Sequence, residues 1–156
     1  MQVIDIIEAG GILLRQPCRT FEDSVEQLVA MLVAHGRLPA ALRVPALRAV
    51  CERERMASTA IVEIGVSVPH ARLPGVDGVV GAIATSPTAV YYAMVGVPIT
   101  IMALILSPPN CAAEHLNVLA ALSILLQSDT VRRELQEASD VRAAVAVLRA
   151  GGGRSR

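Results

Sequence analysis

Two kinds of hydrophobic pattern divide the chain into predicted strands and predicted helices. Short runs that are mostly apolar or that alternate, as strands do, occur at 3–7, 11–14, 60–64, 65–68, 79–84 and 99–106. Elsewhere apolar residues recur at the three- and four-residue spacing of a helix, as in Phe21, Val25, Leu28, Val29 and Leu32. This spacing predicts helices over 20–36 and 40–55, and three more that begin near residues 111, 129 and 140.

Turn and capping residues place the ends of these helices. Thr20 and Asp23 match a capping box, and Gly36 should stop the same helix with His35 against its last carbonyls. Pro45 should disturb the second helix. The segment 116–126 is apolar almost all round, which predicts a largely buried helix. The other predicted boundaries are caps at Asn110, at Ser128 or Asp129 and at Asp140, and a stop at Gly151.

Strands that alternate with helices favour one layered α/β domain over residues 1–150. We expect a three-layer α/β/α architecture in which helices flank a central sheet. Because helices cluster towards the C-terminus, a mixed, partly antiparallel sheet is the expected form. The glycine-rich segment 151–156 is predicted to be a disordered tail.

Composition and charge argue against one class of function. Apolar residues make up 53% of the chain and aromatic residues only 2%, so aliphatic side chains must fill the core. Arg and Lys total 14, as do Asp and Glu, and every one of the cations is arginine. A formal charge of zero with few aromatic rings argues against a nucleic-acid-binding protein, which needs a basic surface.

Cysteine usage and the N-terminal sequence point to the cytoplasm. Cys18, Cys51 and Cys111 match no metal-binding spacing and leave an odd thiol, which suits a reducing compartment. The first residues lack the basic region of a leader peptide. Residues 78–113 carry no charge, but their strongest apolar run, 99–106, has the length of a buried strand rather than of a membrane span. We expect a cytoplasmic protein that does not insert into a membrane.

Three short segments carry candidate chemistry. An apolar run ends at Pro69 and delivers His70, one of only three histidines in the chain. Because proline fixes φ and has no N–H, we expect the strand to stop there, the chain to turn and the imidazole to be held rigidly. The other candidates are Arg53, near the end of the second helix, and His115, near the start of the helix at 111. Read alone, the three are a turn histidine, a surface ion pair and a helix histidine with a satisfied hydrogen bond.

The three segments read Arg53-Glu54…Ser58-Thr59, Gly65-Val66-Ser67-Val68-Pro69-His70 and Glu114-His115-Leu116. In this order and spacing they resemble the type 2 enzyme IIA family of the phosphotransferase system, the fructose, mannitol and nitrogen type. The resemblance covers nearly the whole chain. Two departures stand out: Ala71-Arg72 follows the histidine where many members have glycine, and the segment 62–64 makes the chain one residue longer than usual.

The resemblance implies a phosphocarrier that needs no cofactor and no metal. His70 would accept a phosphoryl group from phospho-HPr or an HPr-like domain and pass it to the IIB domain of a sugar transporter. His115 would be the second active-site histidine, and Arg53 the arginine beside it. The alternative is a regulatory nitrogen-type module whose His70 phosphorylation controls a partner protein without sugar transport. A third hypothesis is a binding domain that is not phosphorylated at all.

These residue types suit phosphoryl transfer on physical grounds as well. Histidine is partly neutral and nucleophilic at physiological pH, and a guanidinium can bind phosphoryl oxygens in bidentate fashion. A predicted helix N-terminus near His115 also favours an anion. A metal site at His70 and His115 remains an alternative, although structural zinc wants four protein ligands. We expect partners to dock on an apolar ring with a charged rim; the ring residues are Val66, Val68, Leu73, Pro74 and Val76, and the rim residues are Arg72 and Asp77.

Overall fold

A mixed six-stranded sheet lies between two layers of helices in the computed structural model, which describes residues 2–154. The helices are α1 (Val3–Ile7), α2 (Phe21–Ala34), α3 (Arg43–Met56), α4 (Ala112–Gln127), α5 (Asp129–Glu137) and α6 (Val141–Arg154). The strands are β1 (Ile12–Leu13), β2 (Ala60–Ile61), β3 (Val66–Ser67), β4 (His70–Arg72), β5 (Val80–Thr85), β6 (Tyr91–Ala93), β7 (Val97–Ile99) and β8 (Ile101–Ser107). The predicted α/β architecture with a mixed sheet and flanking helices is confirmed.

The sheet order is β1-β5-β8-β3-β2, and β4 also pairs with β8. β5 runs antiparallel to β8, whereas β3 and β4 both run parallel to it. β6 and β7 form a separate two-stranded hairpin. Within the described chain β4 has β8 as its single neighbour, so β4 is an edge of the sheet. This edge is where the candidate histidine lies.

The central strand β8 connects the two halves of the hydrophobic core. Its residues Ile101, Ala103 and Ile105 pack in one cluster with α1, α4, α5 and α6. The alternate residues of β8 are Met102, Leu104 and Leu106, and they pack in a second cluster with α2 and α3. Successive side chains of a strand point to opposite faces, so a strand covered on both faces reads as a continuous apolar run.

The uncharged stretch 78–113 folds mainly into strands, from β5 to β8. Within residues 2–154, no single helix combines the length and the apolar composition needed to cross a membrane. One pair of helices reaches that length only when joined, Pro109–Gln127 with Asp129–Glu137, and the pair is bent by 85°.

The first apolar run, at 3–7, is a helix, and the strand prediction there is wrong. Four residues of α1 are buried in the core cluster of α4 to α6. The backbone N–H of Gln2 donates to the carboxylate of Asp5 at 2.9 Å, which satisfies a donor at the helix start. A run of five apolar-rich residues fits either element, because it is too short to show a period.

Pro69 interrupts the strand without turning the chain, contrary to the sequence prediction. β3 and β4 lie on either side of the proline and pair with β8 in one register, with Ser67 opposite Met102 and His70 opposite Ile105. The carbonyl of Pro69 still accepts from the N–H of Ile105 at 3.1 Å. Proline lacks only the N–H that the ladder would use, and an edge strand tolerates that loss.

The predicted strand at 99–106 is divided at Thr100. The N–H groups of Thr100 and Ile101 both donate to the carbonyl of Gly65, at 2.8 and 3.3 Å. Ile99 therefore belongs to β7 of the small hairpin, and β8 begins at Ile101. The predicted strands at 60–64 and 65–68 are also shorter than expected, since β2 and β3 are joined by a turn and pair antiparallel.

Most helix boundaries follow the predicted caps. Thr20 Oγ1 accepts from the N–H of Asp23 at 3.1 Å, and His35 Nδ1 lies 2.9 Å from the last-turn carbonyl of Met31. The side chains of Ser128 and Asp140 cap α5 and α6; they accept from Val131 N at 3.2 Å and from Ala143 N at 2.8 Å.

Three boundary predictions are wrong. Pro45 lies in the first turn of α3, where its missing N–H has no helical acceptor in any case, so it does not disturb the helix. Asn110 does not cap α4, which begins after a short 3₁₀ turn with Cys111 as its uncapped first boundary. Gly151 does not stop α6, which runs to Arg154. A Cβ on Gly151 would lie 2.6 Å from Leu125 Cδ1, so glycine serves close packing there. Of the predicted tail, residues 155–156 lie outside the described chain.

Candidate active site

The three predicted site residues line one open cleft of about 470 Å³ at the β4 edge of the sheet. β4 and its continuation supply the floor, α3 supplies one wall from one helix layer, and the start of α4 supplies the other wall from the opposite layer. The lining residues are Ala49, Glu52, Arg53, Met56, His70, Ala71, Arg72, His115 and Leu116. Sequence segments 17 residues and more apart thus converge on one site, with His70 at its centre.

His70 is half-buried, and a backbone contact fixes its tautomer. Its Nδ1 lies 2.9 Å from the carbonyl oxygen of Val68. A carbonyl oxygen only accepts, so Nδ1 carries the hydrogen in this contact. In the neutral ring the lone pair is then on Nε2, and this atom is left available to a reactant in the cleft.

His115 lies in the first turn of α4 and is only 2% exposed. Its ring meets that of His70 edge-on, with 5.3 Å between the ring centroids. Its Nδ1 lies 2.5 Å from the hydroxyl of Ser107, at the end of β8. Burial, and then the charges of His70 and Arg72, lower the pKa of His115 to about 4. The ring is therefore neutral at physiological pH.

Arg53 lies near the C-terminal end of α3, where its Nη1 donates to the carbonyl of Ala57 at 3.1 Å. This bond holds the guanidinium at the helix end beside the cleft. A guanidinium has five N–H donors, so a single bond leaves others for an anion. The arrangement combines a fixed cation with unused hydrogen-bonding capacity.

Glu54 closes the turn that follows Arg53. One carboxylate oxygen accepts from the backbone N–H of Thr59 at 2.8 Å, and the other accepts from the Thr59 hydroxyl at 2.8 Å. The hydroxyl of Ser58 donates to the same group at 3.3 Å. These hydrogen bonds of Glu54 to Ser58 and Thr59 fix the end of α3 relative to the start of β2. In the sequence, the sign of this turn is a carboxylate followed four and five residues later by two hydroxyl side chains.

Arg72 adds a second guanidinium to the cleft. It lies two residues after His70 on β4, so the two side chains share one face of the strand. Arg72 is exposed, and within the described chain its side chain makes no hydrogen bond or ion pair. Its guanidinium is close enough to lower the pKa of His115. The sequence predicts Arg72 at the rim of a docking surface, and the structure places it in the cleft itself.

The predicted apolar docking ring is mostly core. Val66, Val68 and Val76 are buried, so they cannot touch a partner. The exposed apolar side chains at the cleft are instead Met56 and Leu116, at 82% and 60% exposure. Leu116 also shows that α4 is not as fully buried as its apolar sequence predicts; Ile124 further along the helix is equally exposed.

The cysteines do not line the cleft of the candidate residues. Cys51 is buried in α3, and burial raises the pKa of its thiol, which keeps it protonated and unreactive. Cys18 is exposed and Cys111 is partly exposed, and neither lines the cleft. In the part of the chain that the structure describes, no three His, Cys, Asp or Glu side chains converge in a way that could hold a metal ion.

A family profile, relatives in sequence and solved structures all match this chain. The profile of the family described as "Phosphoenolpyruvate-dependent sugar phosphotransferase system, EIIA 2" matches residues 5–151. A fructose-specific EIIA component from Haloferax volcanii is 36% identical over 128 residues, 81% of each chain. The nitrogen regulatory protein IIA-Ntr from Neisseria meningitidis superposes with a TM-score of 0.78 at 25% identity, covering 92% of this chain and 97% of that one.

A further solved structure matches in fold. It is the Escherichia coli complex of enzyme IIA-mannitol with phosphorylated enzyme IIB-mannitol, which aligns with a TM-score of 0.72 at 19% identity. The alignment covers 91% of this chain and 96% of that chain. At this identity the match concerns the fold alone.

Proposed function

Because the chain belongs to the EIIA 2 family of the phosphoenolpyruvate-dependent sugar phosphotransferase system, we propose that it is a phosphocarrier that takes a phosphoryl group on Nε2 of His70. The observation that carries this proposal is the tautomer of His70. Its Nδ1–H is engaged by the carbonyl of Val68, so Nε2 keeps its lone pair in an open cleft. We expect the donor to be phosphorylated HPr or an HPr-like domain.

The transfer balances without a metal or an added base. The lone pair of His70 Nε2 attacks phosphorus, the new N–P bond forms, and the bond to the donor imidazole breaks with its electron pair leaving on the donor nitrogen. The His70 ring becomes positively charged while its Nδ1 proton stays in place. The carbonyl of Val68, which accepts that proton at 2.9 Å, stabilises the charged ring.

Cationic and polar groups of the cleft would stabilise the moving phosphoryl group. Phosphoryl transfer depends mainly on positioning and on stabilising charge over the equatorial oxygens. Arg53 has guanidinium donors to spare on the α3 side, and the guanidinium of Arg72 on β4 has no hydrogen-bond or ion-pair partner among residues 2–154. His115, 5.3 Å from His70 between ring centroids, would contribute a neutral hydrogen bond from the α4 side.

We propose that a IIB domain accepts the phosphoryl group from His70 and that this transfer takes place in the cytoplasm. The relative from Haloferax volcanii is a fructose-specific EIIA component, and the Escherichia coli enzyme IIA-mannitol is solved in complex with phosphorylated IIB. Exposed Met56 and Leu116 flank the histidines and would give such a partner an apolar contact on both sides of the cleft.

The second candidate is a regulatory module whose His70 phosphorylation controls another protein. The superposition on the nitrogen regulatory protein of Neisseria meningitidis, at a TM-score of 0.78, supports it. The two functions share the chemistry at His70 and differ in the acceptor. A phosphorylated sample that transfers its label to a IIB domain encoded beside a permease supports sugar transport, whereas retained label favours regulation.

The test is phosphorylation from labelled phosphoenolpyruvate with enzyme I and HPr. The wild-type protein should gain one acid-labile phosphohistidine, and His70→Ala should gain none. His115→Ala should still accept the phosphoryl group but pass it on poorly. His35→Ala is the matched control, since His35 lies at the end of α2 and does not line the cleft. Full labelling of His70→Ala would overturn the proposal.

A further inference from the structure

Ser107 is a buried polar residue that the proposed chemistry has not used. It is the last residue of β8, its side chain is fully buried, and its register partner on β4 is Arg72. Its carbonyl accepts from the N–H of Leu73 at 2.8 Å, which ties the end of β8 to the chain after β4. Its hydroxyl lies 2.5 Å from Nδ1 of His115.

The hydrogen bond between Ser107 and His115 has one arrangement that satisfies both groups. If Nδ1 of His115 held the proton, it would donate to the hydroxyl oxygen, and the hydroxyl hydrogen would have no acceptor among the described contacts of this buried side chain. A buried donor without an acceptor costs free energy. If Nδ1 is unprotonated, the Ser107 hydroxyl donates to it and both groups are satisfied. The ring proton of neutral His115 is then on Nε2.

We propose that Ser107 is a positioning residue that holds His115 as the Nε2–H tautomer, so that this histidine donates a hydrogen bond to the phosphoryl group during transfer. The inference rests on the proposed phosphocarrier function. It assigns opposite tautomers to two rings 5.3 Å apart: His70 keeps a free lone pair on Nε2, and His115 presents a proton on Nε2.

The division of roles follows from the burial of His115. With a pKa of about 4, the ring carries no charge at physiological pH, so it cannot attract the phosphoryl group as a cation. A neutral ring helps an anion only if a proton faces it; the other tautomer would direct a lone pair at the phosphoryl oxygens. Ser107 thus decides whether the neutral ring attracts or repels the group in transfer.

The tautomer can be measured directly in the unphosphorylated protein. Long-range ¹H–¹⁵N correlation spectra distinguish protonated from unprotonated ring nitrogens of each histidine. We expect Nδ1 of His115 to be unprotonated and Nε2 to carry the proton in the wild type, with the reverse pattern at His70. In Ser107→Ala the His115 signals should shift towards a mixture of both tautomers. A wild-type His115 protonated on Nδ1 overturns the proposal, whatever the kinetics show.

The kinetic arm separates positioning from folding. Ser107→Ala should lower the rate constant for passing the phosphoryl group from His70 to a IIB domain by about ten- to hundredfold, the range expected when a donor to a developing anion is weakened. Phosphorylation of His70 by HPr should change little, and Ser107→Thr, which keeps a hydroxyl, should recover much of the rate of onward transfer. Ser67→Ala is the matched control, because Ser67 is an equally buried serine of the same sheet outside the cleft.

The two proposals fail in different ways. An unlabelled wild-type protein would remove the phosphocarrier function but leave the tautomer measurement intact. A labelled protein in which Ser107→Ala keeps both the tautomer of His115 and the transfer rate would remove only the role of Ser107.

Discussion

Replacing His115 with glutamine should flatten the dependence of stability on pH below neutrality. His115 is 2% exposed, and burial with the nearby charges of His70 and Arg72 lowers its pKa from 6.5 to about 4. Between these two values the unfolded chain binds a proton that the folded chain excludes. Stability is therefore complete above the ordinary pKa and is lost as the pH falls towards the folded pKa.

The magnitude follows from the two pKa values. Each pH unit inside the window changes the free energy of unfolding by ~1.4 kcal/mol for one proton. Between pH 7 and pH 5, partial protonation at the upper end reduces the sum to a loss of about 2 kcal/mol attributable to His115. Glutamine has a similar size and can still bond Ser107, but it does not titrate, so His115→Gln should not show this part of the loss.

The assay is urea unfolding at a series of pH values from 7 to 5, with wild type and variant side by side. Comparing the two pH profiles removes the contributions of the other titrating groups, which both proteins share. An NMR titration of the His115 ring gives the folded pKa independently and should find it near 4. Profiles that run parallel over this range would refute the argument that burial keeps His115 neutral.

Three further outcomes follow from particular contacts. Glu54→Ala removes the acceptor of the hydrogen bonds from the backbone N–H and the hydroxyl of Thr59, so it should lower the free energy of unfolding by about 2 kcal/mol in urea titrations. The control Glu52→Ala should change the free energy of unfolding by less than about 0.5 kcal/mol. Gly151→Ala should be less stable than Gly152→Ala by about 1–3 kcal/mol in thermal unfolding, because a Cβ at position 151 would lie 2.6 Å from Leu125 whereas a Cβ at position 152 has room. Equal stability of the two variants would contradict the close packing at Gly151. Arg72→Gln should raise the pKa of His115 in an NMR titration and slow phosphorylation by HPr about tenfold. Arg55→Gln, outside the cleft, is the control, and an unchanged pKa of His115 in Arg72→Gln would show that Arg72 does not act on the site.

The sequence predicts the parts of the fold that long or doubly covered elements determine. The run that becomes β8 is recognisable because both of its faces are buried, and α2 is recognisable from its stripe and its Thr20 cap. The short run that becomes α1 is ambiguous, since five residues show neither period clearly. The turn predicted at Pro69 is wrong, because a missing N–H removes one ladder bond but does not change the direction of an edge strand.

The sequence predicts the three candidate residues that line the cleft, but not the residue that supports one of them. His70, His115 and Arg53 were found from a motif resemblance, and the cleft brings them together. Ser107 gave no comparable signal, because one serine at the end of an apolar run can be a simple strand terminus. Its meaning depends on α4 packing back over β8, and such a contact between distant segments has no local pattern.

The edge strand β4 also affects how other chains can associate with this protein. It is three residues long, follows a proline that cannot donate, and carries the exposed Arg72 at its end. Short edges with a proline and a charge resist the addition of a foreign strand, which protects the sheet from growing into aggregates. The proposed partner of His70 is therefore expected to recognise side chains across the cleft rather than to extend the sheet.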